Sequence, residues 1–393
     1  MLHNPSLSVK AFASPTRYYQ GPDITRLVAP DVFVAVGRKP LVIGGPQALG
    51  ALRGHGLARA LEEKGVTPVL EEFGSDQPWG RECCDEEVNR LIKIAELNCC
   101  DTIIGAGGGK AIDTGKAVSD RMRVPMISYP TTASTDAPTS SLSVMYTPGG
   151  RFKEYRFYSR APDAVLVDTA IISEAPARYL ACGIGDALSK KFEVEACYTS
   201  GHENQIVKPV GGRSPLAGLG LSDLLYEILW SWGRDAMMAA RRKAVTAALE
   251  AVVEGAVLIS GLAFESGGLA AAHSVYDGLT LVEAKMRPHQ YHGELVHFGT
   301  CVQLVLEGRP RDLIHDVFTF GHEIGLPETF EEIGLKEIED EDLWKVAEKT
   351  AAISETIHKM AIEVTPQKVF DAMKVADGIG KTVSRQTPRA LYA

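Results

Sequence analysis

The chain of 393 residues has no Lys/Arg-rich run: 41 basic residues are scattered among 50 acidic ones, for a net charge of −9. That argues against nucleic acid or an anionic membrane as the main partner. No stretch approaches the ~20 uninterrupted apolar residues of a bilayer span. Met1 to Ser14 lacks the basic start and apolar core of a secretory signal, so a cytoplasmic location is expected. Cysteine is sparse: Cys83, Cys84, Cys99, Cys100, Cys182, Cys197 and Cys301, an odd count with two adjacent pairs and no C-x-x-C. Such usage fits reduced thiols rather than a disulfide frame, and Cys83-Cys84 reads as plain buried thiols. Internal repeats and low-complexity segments are absent too.

What is present is ordinary globular composition, 45% hydrophobic and 23% charged. At roughly 150 residues per domain the length corresponds to two domains or three. A chain this long buries enough apolar surface to fold without disulfides or metal.

The first ~170 residues alternate apolar runs with helical patterns. Strands are expected at 40–45, 68–73, 102–105, 124–129 and 164–168, with helices over 47–63, 85–97 and 110–121. That alternation predicts a parallel sheet built from βαβ units. Residues 143–158, β-formers broken by Pro148-Gly149-Gly150, predict a hairpin. Beyond about Ser173 the periodicity becomes helical, over 175–197, 221–232, 236–264 and 342–359. The expected division is therefore an α/β unit over 1–174 and an all-helical unit over 175–393. Residues 200–215 between the first two helical patterns read as a loop.

Three places carry candidate chemistry. Gly105-Ala-Gly-Gly-Gly-Lys110 follows a strand and opens a helix, where glycines let backbone N–H groups approach a pyrophosphate. It matches neither G-x-G-x-x-G nor the Walker pattern, and a tight strand-to-helix turn is the other reading. Pro130-Thr-Thr-Ala-Ser-Thr-Asp-Ala-Pro138 lies at the same carboxyl edge of the sheet, with hydroxyls suited to ribose or phosphate oxygens or simply to solvent. Asp186, His273 and His292 are a donor set for Zn²⁺ or Fe²⁺, although their spacing is that of no short motif.

Together these residues resemble the glycerol dehydrogenase branch of the iron-containing alcohol dehydrogenases. The resemblance is carried by the run from Gly107 to Lys116, by Pro130 to Ser140, by Ala175 to Leu188, by His273-Ser-Val and by His292-Gly-Glu-Leu-Val. It extends from Tyr18-Tyr-Gln-Gly21 to Thr365-Pro366. The glycine run is shared with dehydroquinate synthase, whereas Ser-Thr-Asp-Ala-Pro resembles the polyol branch alone. The implied fold is an α/β nucleotide-binding domain with a helical C-terminal domain, of the dehydroquinate synthase kind. The implied metal ligands are Asp186, His273 and His292, usually with zinc and otherwise iron. NAD would be cradled by Gly107, Gly108, Gly109, Lys110, Ala111, Ile112 and Asp113 and by Thr131, Thr132, Ala133 and Ser134, with Ser140, Leu142 and Tyr146 along the nicotinamide. Asp136 would hydrogen-bond a polyol substrate. A hydride would pass between NAD(P) and glycerol or a similar vicinal diol, and the protein would be a homo-oligomer. The alternative on the same scaffold is an NAD(P)H-dependent reductase of 2-oxo acids or hydroxyketones.

The sequence departs from the family pattern in four places. Tyr276 stands where members carry a His that contacts substrate or relays its proton, and a Tyr hydroxyl is able to take that role. Both the 200–215 loop and Met286-Arg-Pro-His-Gln290 are unusual for the family. Gly45 stands where members carry an Asp that binds the adenine ribose hydroxyls. Without that carboxylate there is no repulsion against a 2′-phosphate, so NADP⁺ is expected to support turnover better than in typical members. Initial rates with the two cofactors check this; turnover with NAD⁺ and none with NADP⁺ would overturn it.

Overall fold

A computed structural model describes residues 9–386. Its larger sheet has six parallel strands: β1 (Tyr18–Gly21), β2 (Pro40–Gly44), β3 (Val69–Glu72), β4 (Thr102–Gly107), β5 (Met126–Pro130) and β8 (Ala164–Asp168). Their spatial order is β1-β8-β5-β4-β2-β3. β2, β4 and β8 are buried apolar runs, as a sheet covered on both faces requires. The expected hairpin is an antiparallel pair, β6 (Leu142–Tyr146) and β7 (Phe152–Phe157).

The helices of this half are α1 (Ile24–Leu27), α2 (Ala29–Val36), α3 (Pro46–Gly54), α4 (Leu57–Glu62), α5 (Asp85–Leu97), α6 (Gly109–Met122) and α7 (Thr169–Glu174). Leu49, Leu52 and Leu61 from α3 and α4 pack on one face with Val42 and Ile104. Val88, Leu91, Ile112 and Val118 from α5 and α6 cover the other with Leu41 and Ile103. The chain thus leaves β2 toward one face and β4 toward the other. Between the carboxyl ends of those two strands lies the topological switch point, the usual ligand crevice of an open α/β sheet.

The rest is helical: α8 (Ala177–Ser200), α9 (Leu216–Arg241), α10 (Ala247–Glu254), α11 (Ser260–Gly267), α12 (Ala271–Leu279), α13 (His292–Leu306), α14 (Arg311–Ile324), α15 (Asp340–Thr350) and α16 (Pro366–Gln386). A π-helical turn, Gly255–Ile259, joins α10 to α11 into one continuous helix. By length and composition that helix is apolar enough to cross a bilayer, but Leu249, Val252, Val253 and Val257 are fully buried within the protein core.

Several boundaries differ from the sequence expectation. The helix expected over 47–63 breaks at Gly56, which has φ of +83°. That expected over 236–264 is two helices, because Lys243 takes a left-handed conformation and Thr246 caps a new start, its Oγ1 accepting from the Leu249 amide at 3.2 Å. The pattern over 342–359 ends at Thr350 and resumes as a single 3₁₀ turn, Thr356–Lys359.

One buried ion pair joins the sheet to the segment after β5. Lys116 of α6 faces Asp113 at 2.8 Å, both nearly inaccessible. Its ammonium also donates to the carbonyl of Ala137 at 2.9 Å and to that of Leu142. Replacing it as Lys116→Met strands Asp113 as an uncompensated buried charge, so a loss of roughly 3–5 kcal/mol is expected. Urea unfolding checks it, with Lys116→Met/Asp113→Asn expected to recover much of the loss.

Candidate active site

Three glycines bring the candidate metal donors together. A Cβ on Gly183 would lie 1.9 Å from the carbonyl oxygen of Ala133, and one on Gly185 would lie 2.5 Å from that of Gly293. A Cβ on Gly293 would in turn meet the Cys182 carbonyl at 1.9 Å. Gly183-Ile-Gly-Asp186 is therefore the stretch of α8 against which both the 131–141 loop and α13 come to rest. Asp186 projects at that junction. His292 opens α13, where Glu294 accepts from the Tyr291 amide at 2.7 Å and is itself held by Arg178.

His273 is positioned differently. Helix α12 begins after Ala270, which has no capping side chain. Two fully buried side chains from other helices cap it instead. Glu193 accepts from the amides of Ala270 (2.9 Å) and His273 (3.0 Å), and Gln303 from those of Ala271 (3.1 Å) and Ala272 (3.0 Å). The other oxygen of Glu193 lies 2.7 Å from His273 Nδ1. That contact fixes the imidazole and turns Nε2 toward Asp186, 3.5 Å from Oδ1. Nε2 of His292 is 3.8 Å from the same oxygen. One donor atom from each of the three residues falls within 4.8 Å of the others.

The electrostatics favour a cation. Asp186 Oδ2 is buried and has no hydrogen-bond partner. Burial opposes ionisation of Asp186, but Lys190 and the hydrogen bond from His273 outweigh it and hold the carboxyl well below its ordinary range. Burial pulls His292 down to about 4, so its imidazole is neutral and carries lone pairs. A buried carboxylate oxygen without a donor beside two imidazoles, one oriented by a carboxylate, fits a divalent metal.

Sequence reasoning missed Lys190. It is fully buried, with its ammonium 2.5 Å from Asp186 Oδ1 and 3.4 Å from Asp136 Oδ2. Asp136 also accepts from Ser260 Oγ at 2.7 Å, and burial together with the Asp186 charge raises its pKa. The only signal in sequence was a lysine one turn after Asp186 on the apolar side of a helix. Tyr276 stands edge-on to the His292 ring, centroids 4.3 Å apart. Burial, then the neighbouring Tyr146, keeps its phenol protonated. His289 is exposed, faces Glu283 and takes no part in the trio.

The nucleotide candidates separate into two sets. Gly45 ends the β2 turn, and Gly107, Gly108 and Gly109 run from β4 into α6, all at the switch point. A Cβ at Gly45 would meet nothing within 4 Å, and at Gly108 only Thr132 Oγ1 at 3.9 Å. This open glycine cradle at the start of a fourteen-residue helix fits a pyrophosphate. Thr131, Thr132 and Ser134 follow β5 beside it, Thr131 N bonding to the Gly107 carbonyl and Thr132 to Ser134. Other candidates are engaged elsewhere. The side chains of Ala111 and Ile112 are in the apolar core, and Ala133 packs with the helical half. Asp113 accepts from the Val144 amide, and Lys110 pairs with Glu82 over the Tyr146 ring. Ser140 and Leu142 line the buried ammonium of Lys116. Arg38 and Lys39 precede β2, so five strand residues, ~16 Å, separate them from Gly45.

Comparison with known proteins points to one family. Residues 15–169 match the model of the iron-containing alcohol dehydrogenase family. A glycerol dehydrogenase from Citrobacter freundii is 40% identical, over 95% of this chain and 98% of that one. A glycolaldehyde reductase from Halobacterium salinarum is 42% identical, again over 95% and 98%. The crystal structure of a probable glycerol dehydrogenase from Sinorhizobium meliloti superposes with a TM-score of 0.86 at 32% identity, covering 95% of this chain and all of that one.

A bridge from the hairpin reaches the same helix as His273. Tyr155 of β7 donates to Asp277 of α12 at 2.9 Å. Burial, then the charge of Glu355, pushes the Asp277 carboxyl up to about 7. A carboxyl raised in the folded state stabilises fully below its ordinary pKa of about 4 and loses that contribution as pH rises through 7. Asp277→Asn removes this dependence, so its melting temperature should climb relative to the parent between pH 5 and pH 8. A difference that stays flat over that range would overturn the assignment.

Proposed function

The chain belongs to the iron-containing alcohol dehydrogenase family, a metal-dependent, NAD-linked polyol oxidoreductase, and from that premise we propose that its substrate is glycerol or a closely similar vicinal diol. The observation that carries the proposal is the convergence of Asp186, His273 and His292 beside Asp136. In this reading the chain divides near residue 174 into a nucleotide-binding part, 1–174, and a metal- and substrate-binding part, 175–393.

A zinc or ferrous ion on Asp186, His273 and His292 would supply Lewis acidity toward a substrate hydroxyl, and a nicotinamide the hydride acceptor. Gly45 and Gly107 to Gly109 would hold the pyrophosphate and ribose, with the hydroxyls of Thr131, Thr132 and Ser134 alongside. Glu193 holds the His273 ring so that its Nε2 faces Asp186. Asp136, fixed by Ser260 and Lys190, presents its carboxyl to a further hydroxyl of the substrate. That contact selects a polyol over a simple alcohol. The neutral phenol of Tyr276, edge-on to His292, would donate to the substrate rather than act as a base.

The second reading is reduction of a hydroxyaldehyde, hydroxyketone or 2-oxo acid. It is favoured by Tyr276 in place of a relay histidine and by the name of the Halobacterium relative.

Initial rates with glycerol and 1,2-propanediol, before and after metal depletion, test the proposal. Diol oxidation should vanish on depletion and return with zinc or Fe²⁺. Asp136→Asn should raise KM for glycerol about tenfold or more, the worth of one hydrogen bond to a charged group. It should raise KM for 1,2-propanediol, which lacks the third hydroxyl, much less. Absence of diol oxidation by the metal-loaded protein would overturn the proposal in favour of the reductase.

A further inference from the structure

Among the described residues a second group of metal-binding side chains lies apart from the site above: His297, Cys301 and Glu328. His297 and Cys301 are one turn apart on the buried face of α13, and Glu328 follows α14. Nε2 of His297 is 3.3 Å from Glu328 Oε1 and 3.8 Å from Cys301 Sγ, and the three side chains have no solvent exposure. Tetrahedral zinc, with bonds of about 2.0 Å to N and O and about 2.3 Å to S, separates N from O by about 3.3 Å and N from S by about 3.6 Å. The observed separations are close to those edges.

A further observation points the same way. The space at the cluster is kept by Gly321 of α14, where a Cβ would fall 2.1 Å from His297 Nε2 and 2.6 Å from Glu328 Oε1. A divalent ion arriving there would displace the Cys301 thiol proton and take ligand charge from the resulting thiolate and from the Glu328 carboxylate.

We propose that His297, Cys301 and Glu328 form a second, structural site for a thiophilic divalent cation of the zinc class, pinning α13 to the segment after α14. The thiolate ligand separates it chemically from the Asp186, His273, His292 set and disfavours Mg²⁺ and Ca²⁺. Lying five to nine residues after His292, it is roughly 8–14 Å further along α13. Being enclosed, it takes its ion as the chain folds.

Protein expressed with zinc and with Co²⁺ tests this. Elemental analysis of the zinc protein should find two ions per chain, falling to one in Cys301→Ser and to one in His292→Ala. The cobalt protein should show a near-ultraviolet sulfur-to-cobalt charge-transfer band that survives His292→Ala and disappears in Cys301→Ser. Should Cys301→Ser fail to fold, the band and the two-ion count in the parent chain still decide. One ion per chain and no such band would overturn the second site and leave the first untouched.

Discussion

The buried ammonium of Lys190 is the contact around which the site is arranged. Asp186 and Asp136 approach one another from α8 and from the loop after β5, out of reach of bulk water. Two carboxylates so placed cannot both ionise without a cation between them. Lys190 provides it, rooted one helical turn from Asp186 and reaching both. A third buried carboxylate, Glu193, accepts from the amides of Ala270 and His273 and lies 2.7 Å from His273 Nδ1. Charges this dry are tolerated only while every partner stays in place. The elements carrying them, α8, α12 and the loop, are therefore bound to one relative position.

That constraint explains how the 131–141 segment is held from both sides. From the sheet side Lys116 gathers the carbonyls of Ala137 and Ser140. From the helical side, Thr139 donates to the Val257 carbonyl in the π turn, Ser260 bonds Asp136, and Glu265 accepts from the Ser141 amide at 2.9 Å. A π turn offsets the following residues relative to a regular helix, and such turns recur at functional sites. Here the offset brings Ser260 onto Asp136. The polar loop of the sequence is thus a bridge between the switch point of the sheet and the Asp186, His273 and His292 trio.

Much of this was legible in sequence where the cause is local. Asp85–Leu97 and Ala164–Asp168 fall where their periodicity put them, because apolar spacing and flanking charge decide such elements within a dozen residues. The helix breaks at Gly56 and Lys243 were less legible, since a left-handed residue interrupts a periodicity that continues on either side. Residues of the glycine run looked alike as nucleotide candidates. The fold sets the Ala111 and Ile112 side chains in the core, pairs Asp113 with Lys116, and leaves open space beside Gly45 and Gly108.

By itself the sequence determined the kind of molecule: a parallel α/β half, a helical half, a glycine turn at a strand end, and an Asp-His-His donor set matching the family pattern. The first three follow from periodicity and residue type, which act over short distances, whereas the donor set is what the resemblance to the family implies. Tertiary structure alone decided that Lys190 belongs to the site, that Glu193 and Gln303 cap α12, and that His297, Cys301 and Glu328 meet. Each of these joins residues on different helices or lies inside a core. Only the packing of backbones through Gly183, Gly185, Gly293 and Gly321 sets the distances at which buried charges and lone pairs must find one another.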